Sequence, residues 1–345
     1  MLPSSSLLSR LASLIIAIFV FPSLLLANPQ HIFLLTNGQT HAEIPFTLVN
    51  NLIVVEVVVA GKRPMNFILD NGTANPVIFQ RNHIRGLPLN LGRRITVRGA
   101  GVGKAVQATV IDGTSLHLSG AATDRIGMVV LDKNPFSHLK TTNKTIHGVL
   151  GATLFRSFIV EIDYPNQLLR LHQHEGFSVP DYYQSVPMKV IEGKPYLSAL
   201  VQGEQATMEM DLMLDLGFNN SLLLQLDDVL ARKMMLRSRT AKIGVGFSGT
   251  MRGRKGTVPS ILIGPGYYES VATIAPFFRS LPSVDTSLGI ERMGSVGNTL
   301  FKDTSIILNY PEEKFYIACP EPLLAEQNEE SQLKTRPIEP EKLVF

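Results

Sequence analysis

The chain of 345 residues is 45% hydrophobic and 18% charged, enough apolar material for a substantial core and the reverse of the composition of a disordered protein. A formal net charge of +3 over this length argues against a dedicated nucleic-acid binder. The single cysteine, Cys319, excludes an intramolecular disulfide framework and a cysteine-based zinc cluster, and is expected to be buried and inert.

In chain order, residues 1–27 come first. Arg10 precedes the apolar run Leu11 to Phe21, and Ala27 stands before Asn28-Pro29. This reads as a secretory signal peptide, with Leu25 where a small residue is usual. An uncleaved anchor is the alternative, since Leu11 to Ala27 is 17 residues, the lower edge for spanning a bilayer. Either way the remaining chain is expected to work outside the cytoplasm, periplasmic or secreted. No prosegment is evident in the 18 residues from Asn28 to Pro45. Short β-branched runs follow, among them Leu52 to Val59, Ile95 to Val97, Leu116 to Leu118 and Ile306 to Leu308, punctuated by Gly and Pro. That pattern predicts a mainly β protein. Leu222 to Met235 carries the best helical period. Residues 321–345 form a polar tail.

The chain contains itself twice. Met65-Asn-Phe-Ile-Leu-Asp70-Asn-Gly72 recurs as Met210-Asp-Leu-Met-Leu-Asp215-Leu-Gly217, and Gly99-Ala-Gly101 as Gly244-Val-Gly246, both at an offset of 145. Leu150-Gly-Ala-Thr-Leu-Phe155 recurs as Val296-Gly-Asn-Thr-Leu-Phe301, and Ile162-Asp-Tyr-Pro165 as Leu308-Asn-Tyr-Pro311, both at 146. Four matches in one order predict a duplicated lobe, with lobe one over residues 45–178 and lobe two over 183–320. Each lobe would run from a strand ending in Asp-x-Gly through a Gly-containing hairpin and a strand ending in Leu-Gly or Val-Gly. A short helix near Thr153 or Thr299 and a closing strand with Tyr-Pro would complete it. Pseudo-twofold pairing brings Asp70 and Asp215 face to face, where they would share one proton, as acid–base hydrolysis through an activated water requires.

These motifs resemble the retropepsin-like aspartyl proteases, in a bilobal form of the kind expected in bacterial envelopes. The resemblance spans about residues 45 to 318. It rests on Phe67-Ile-Leu-Asp70-Asn-Gly72-Thr73, Gly148-Val-Leu-Gly151-Ala-Thr-Leu-Phe155 and Ile162-Asp-Tyr-Pro165. It implies two pepsin- or retropepsin-like β lobes with a cleft between them. Asp70 and Asp215 would be the catalytic pair at its base, supported by Asn71, Gly72, Thr73, Leu216 and Gly217. The flaps would be the hairpins around Gly99, Gly101 and Gly103 and around Gly244 and Gly246. The family places Thr or Ser after each Asp to brace the two loops, but here Asn71 and Leu216 hold those positions, and Phe218 occupies beside Asp215 the position that Thr73 has beside Asp70. Two readings stay open. One is an aspartic endopeptidase in which either Asp is the base, without cofactor or metal. The other is a degenerate relative that holds an extended peptide by strand addition. Restoring Thr at 216 would raise activity in the first and do little in the second. The expected partner is a peptide or protein, with membrane contact only through an uncleaved amino-terminal segment, and a single-chain pair of lobes predicts a monomer.

Other motifs carry less. Gly244-x-Gly-x-x-Gly249 and Gly99-Ala-Gly-Val-Gly-Lys104 imitate nucleotide-binding loops, but read as hairpin tips, with Thr250 to Gly256 a turn. His172 and His174 would share a strand face without a third metal ligand. Arg93, Arg94 and Arg98 in one hairpin, and Arg252, Arg254 and Lys255 in the other, read as solvated edge charges or as a mouth that favours acidic substrates.

Overall fold

The structure is a computed structural model that describes residues 33–36, 38–101, 103–136, 144–277 and 292–319; the amino-terminal segment and the polar tail read from sequence lie outside them. The described chain is mainly β, in a nine-stranded and a thirteen-stranded sheet.

Each lobe is organised around the strand that ends at its aspartate. In lobe one, Arg63–Leu69 runs parallel to Gly148–Leu150, which pairs antiparallel with Val77–Ile78. In lobe two, Thr207–Asp215 runs parallel to Gly294–Gly297, which pairs antiparallel with Leu222–Leu224. These strands carry near-continuous apolar residues because both their faces are covered: the successive residues Phe67, Ile68 and Leu69, and Leu212, Met213 and Leu214, are all buried. Burial of each such side chain contributes roughly 1.5–3 kcal/mol. The glycine that ends each closing motif sits where the chain crosses itself, so a Cβ on Gly151 would stand 2.6 Å from the Thr73 carbonyl oxygen. The short helices Thr153–Ser157 and Asn298–Phe301 then turn the chain away from the aspartate loops.

The lobes are joined by six strands of the larger sheet, in the order Tyr183–Ile191, Lys314–Ala318, Ser305–Asn309, Ile159–Asp163, Leu168–His172 and His41–Pro45. Its centre pairs one strand from each lobe, with Val160 opposite Leu308 and Ile162 opposite Ile306. One face joins the main core through Val160, Ile162, Ile306 and Leu308. The other carries Ile159, Ile307, Tyr183 and Tyr316 under Phe177 and Val179. Tyr164 and Tyr310 stand immediately after the two central strands, in turns rather than within the strands, and both are buried.

Three local expectations are corrected. Leu222 to Met235 is not one helix: Leu222–Leu224 is a strand, and the helix is Asp228–Met234, started by the Asp227 side chain accepting the Leu230 N–H. The contiguous leucines 222–224 are all buried, in a sheet covered on both sides, which overrides the helical period read over the longer stretch. Thr250 to Gly256 is not a turn but part of the 15-residue strand Gly249–Ile263, held between two long partners. Gly244 and Gly246 lie in the strand Leu236–Gly246, opposite Met251 and Gly249, and the tip is Phe247-Ser248. Lobe one differs: its last ladder pair is Val97 with Val106, and Gly99, Gly101 and Gly103 all lie in the loop between.

Candidate active site

Asp70 and Asp215 end equivalent strands from different lobes and are 0% and 2% exposed. The turn after each aspartate folds back on its carboxylate. Gly72 N–H donates to Asp70 Oδ1 at 2.7 Å, and Gly217 N–H to Asp215 Oδ1 at 3.0 Å. Gly217 is required by the partner lobe, and Gly72 lies close to both carboxylates. A Cβ on Gly217 would stand 2.5 Å from the Asp70 carboxyl carbon, and one on Gly72 would stand 3.1 Å from Asp70 Oδ1 and 3.6 Å from Asp215 Oδ1. The two carboxylates therefore line one small space, as the repeat implied.

Their support is asymmetric. Thr73 Oγ1 donates to Asp70 Oδ2 at 2.9 Å, while Phe218, in the matching place, is fully buried and apolar. On the lobe-one side, Asn71 braces the two loops. Its Oδ1 accepts the Leu216 N–H at 2.9 Å, and its Nδ2 donates to the Leu214 carbonyl at 3.0 Å and to the Tyr310 hydroxyl at 3.3 Å. One amide thus satisfies a donor and an acceptor of the opposite strand end, which a hydroxyl does with a single atom. Leu216 makes no polar side-chain contact; it is fully buried in the main core. Its carbonyl instead accepts from Asn298 Nδ2, whose Oδ1 accepts the Tyr164 hydroxyl at 2.6 Å. The two Tyr-Pro tyrosines thereby tie the inter-lobe sheet to both aspartate loops.

Two further residues of this site were not picked out in sequence. Asn298 stands where lobe one has Ala152, so a polar residue at an apolar repeat position was the available signal. Arg292 precedes the strand Gly294–Gly297; it is 8% exposed, and its Nη2 lies 3.9 Å from Asp215 Oδ2 while donating to Ser295 Oγ at 2.7 Å. Ile146 holds the corresponding position in lobe one. Half-buried Lys194 contributes positive charge that both carboxylates feel. Burial and the neighbouring Asp215 hold the Asp70 carboxyl well above the usual carboxylate range. Burial also raises Asp215, against the opposing pull of Arg292, the Gly217 N–H and Lys194.

The two hairpins meet tip to tip. Ser248 N–H donates to the Ala100 carbonyl at 3.0 Å, and Gly99 N–H to Ser248 Oγ at 3.1 Å. Gly101, at φ +119°, passes so near that an added Cβ would be 2.7 Å from the Gly249 nitrogen. Each tip also reaches across the molecule. Ala100 packs with Phe218, Leu223, Ile243, Met251 and Ile274 of lobe two. Phe247 enters lobe one, edge-on to Phe79 and Phe136 at centroid distances of 5.9 and 5.2 Å.

The remaining sequence candidates fall elsewhere. His172 contacts Glu161 Oε2 at 2.9 Å and stacks on His41 in the inter-lobe sheet, whereas His174 is exposed beyond the strand end. Among the described residues no cluster of three or more His, Cys, Asp or Glu is placed to hold a metal. Arg254 is not a solvated edge charge: it is 8% exposed and ion-paired with Asp228 at 3.0 Å. Arg93, Arg94 and Arg98 are exposed, Arg94 beside Asp132. Cys319 is buried and unpaired with any other cysteine.

Known proteins place the architecture. No family model and no curated protein matches the chain. Among solved structures, an aspartic proteinase from Irpex lacteus matches with a TM-score of 0.53 at 12% identity, over 81% of this chain and 98% of that one. The chain therefore has the bilobal fold of the pepsin-like aspartic proteinases.

Proposed function

We propose that the chain is an aspartic endopeptidase acting outside the cytoplasm, exported through its amino-terminal segment and working as a monomer. The observation that carries this reading is the pair of carboxylates, one from each lobe, in one buried space where simultaneous ionisation is opposed by burial and mutual repulsion. A singly protonated pair supplies both halves of the reaction. The carboxylate takes a proton from a water as its oxygen attacks the scissile carbonyl carbon, and the carboxyl delivers one toward the leaving amine. Asn71 and Asn298 hold the loops in register, replacing the paired hydroxyls of the family pattern. Both carboxylates are buried and the hairpin tips are hydrogen-bonded to each other, so peptide entry on this reading requires the hairpins to part.

The test is cleavage of a denatured protein mixture by the purified chain, from acid to neutral pH, beside Asp70→Asn and Asp215→Asn. Cleavage is expected in the wild type alone, with each variant losing at least about 100-fold; activity that survives either substitution would rule the mechanism out. One observation favours a second reading, peptide capture without cleavage: Phe218 denies Asp215 the hydroxyl that Thr73 gives Asp70. A folded wild-type chain that retains peptides and cuts none at any pH would support it.

A further inference from the structure

We propose that Arg292, a positioning residue, decides which carboxylate carries the shared proton, making Asp215 the ionised member and Asp70 the protonated one. The proposal rests on the proteinase reading only for its consequence, that Asp215 is the base and Asp70 the acid.

The argument starts from what each carboxylate faces. Asp70 Oδ2 meets the Thr73 hydroxyl at 2.9 Å. A hydroxyl both donates and accepts, so it serves a protonated Asp70 as well as an ionised one. Asp215 Oδ2 faces a guanidinium at 3.9 Å, which is always charged, donates only, and has nothing to offer a proton on that oxygen. Phe218, where lobe one has Thr73, leaves no hydroxyl there to accept such a proton.

Arg292 is also anchored. Its Nη2 donates to Ser295, whose strand pairs Ser295 with Met213, two residues before Asp215. Met293, the next residue, donates its N–H to Asp211 and accepts from Gln225 N–H at 2.7 Å. The guanidinium is thus fixed to Gly294–Gly297, the strand that pairs with the one carrying Asp215. Lobe one has Ile146, an uncharged side chain, at the corresponding place beside the strand of Asp70.

Among the described residues, the charged and titratable groups facing Asp215 are Asp70, Arg292, Lys194, Tyr196 and Tyr310. Burial holds both tyrosines protonated, above their ordinary range. Lys194 is felt by both carboxylates and therefore discriminates less than Arg292.

The experiment is a carbon-13 NMR titration of the full chain with aspartate labelled at the side-chain carboxyl, assigned with Asp70→Asn and Asp215→Asn. The Asp215 resonance is expected to titrate at the lower pH of the pair. Arg292→Met should raise its midpoint by at least one pH unit, a tenfold gain in proton affinity, and Arg292→Lys should recover most of that shift. Loss of packing alone would not be repaired by the lysine. The proposal is overturned if Asp70 titrates first in the wild type, or if folded Arg292→Met leaves the Asp215 midpoint in place. Should Arg292→Met fail to fold, the wild-type order and Arg292→Lys, in which the charge stays near, still decide it. Because the titration reads the proton and not cleavage, a chain that cuts no peptide leaves this result intact, and a working proteinase with the opposite order would overturn this assignment alone.

Discussion

The loop Asp70-Asn71-Gly72-Thr73 and the loop Asp215-Leu216-Gly217-Phe218 each hold a carboxylate, by opposite means. The first is polar: Thr73 bonds its own aspartate, and Asn71 reaches across to bond the other strand end. The second is apolar: Leu216 sits in the main core, Phe218 packs under the lobe-one hairpin tip, and polar support arrives from Arg292 and Asn298 in a different segment. An apparent loss of the second motif is thus a relocation. The backbone amides and glycines, which the geometry cannot replace, are the parts both loops share.

The sharpest way to break this comparison is to truncate the apolar side. Phe218→Ala empties a fully buried site shared with Ala100, and a loss of about 4 kcal/mol in denaturant unfolding is expected. On the polar side, Asn71→Ala strands the Leu216 N–H and the Leu214 carbonyl inside the molecule, for a loss of about 3 kcal/mol by the same measurement. If Asn71→Ala proved neutral, the cross-lobe brace would be decorative. Leu216→Thr, which the sequence suggested as a repair, now tests packing. It removes buried methyl groups from the core, and a stability loss of about 2 kcal/mol is expected where a missing hydroxyl would predict a gain.

Smaller effects separate the charges. Asp70 is raised in the folded state, so its contribution to stability is complete below the ordinary carboxylate pKa and is lost as pH rises through the folded value. Asp70→Asn should therefore be more stable than wild type at pH 7, by about 1.4 kcal/mol for each unit of elevation, and the advantage should vanish near pH 3. Thermal melts across that range check the sign. Glu161 in the inter-lobe sheet behaves oppositely. Burial pushes it up, but the His172 hydrogen bond and the Arg170 charge bring it below its ordinary value. Its contribution is present above that ordinary value and fades as pH falls through the folded one. Glu161→Gln should cost about 1 kcal/mol at pH 7 and progressively less in acid.

Much of this arrangement is legible in one dimension, because some positions admit few residues. An aspartate before x-Gly, a glycine where a strand crosses its own loop, and an apolar run buried on both faces are dictated by backbone geometry, so they recur at offsets of 145 and 146. Those positions singled out Asp70 and Asp215 as the candidate pair, and they gave the mainly β class and the bilobal plan that the fold bears out. Local periodicity failed where long-range pairing overrode it, as at Leu222–Leu224 and in the strand through Thr250 to Gly256. The brace at Asn298, the guanidinium of Arg292 and the crossed hairpin tips were decided only by tertiary structure. A hydrogen-bonding or charged side chain can reach one site from many places in the chain, so its partner is set by distance in space, which spacing along the sequence does not encode.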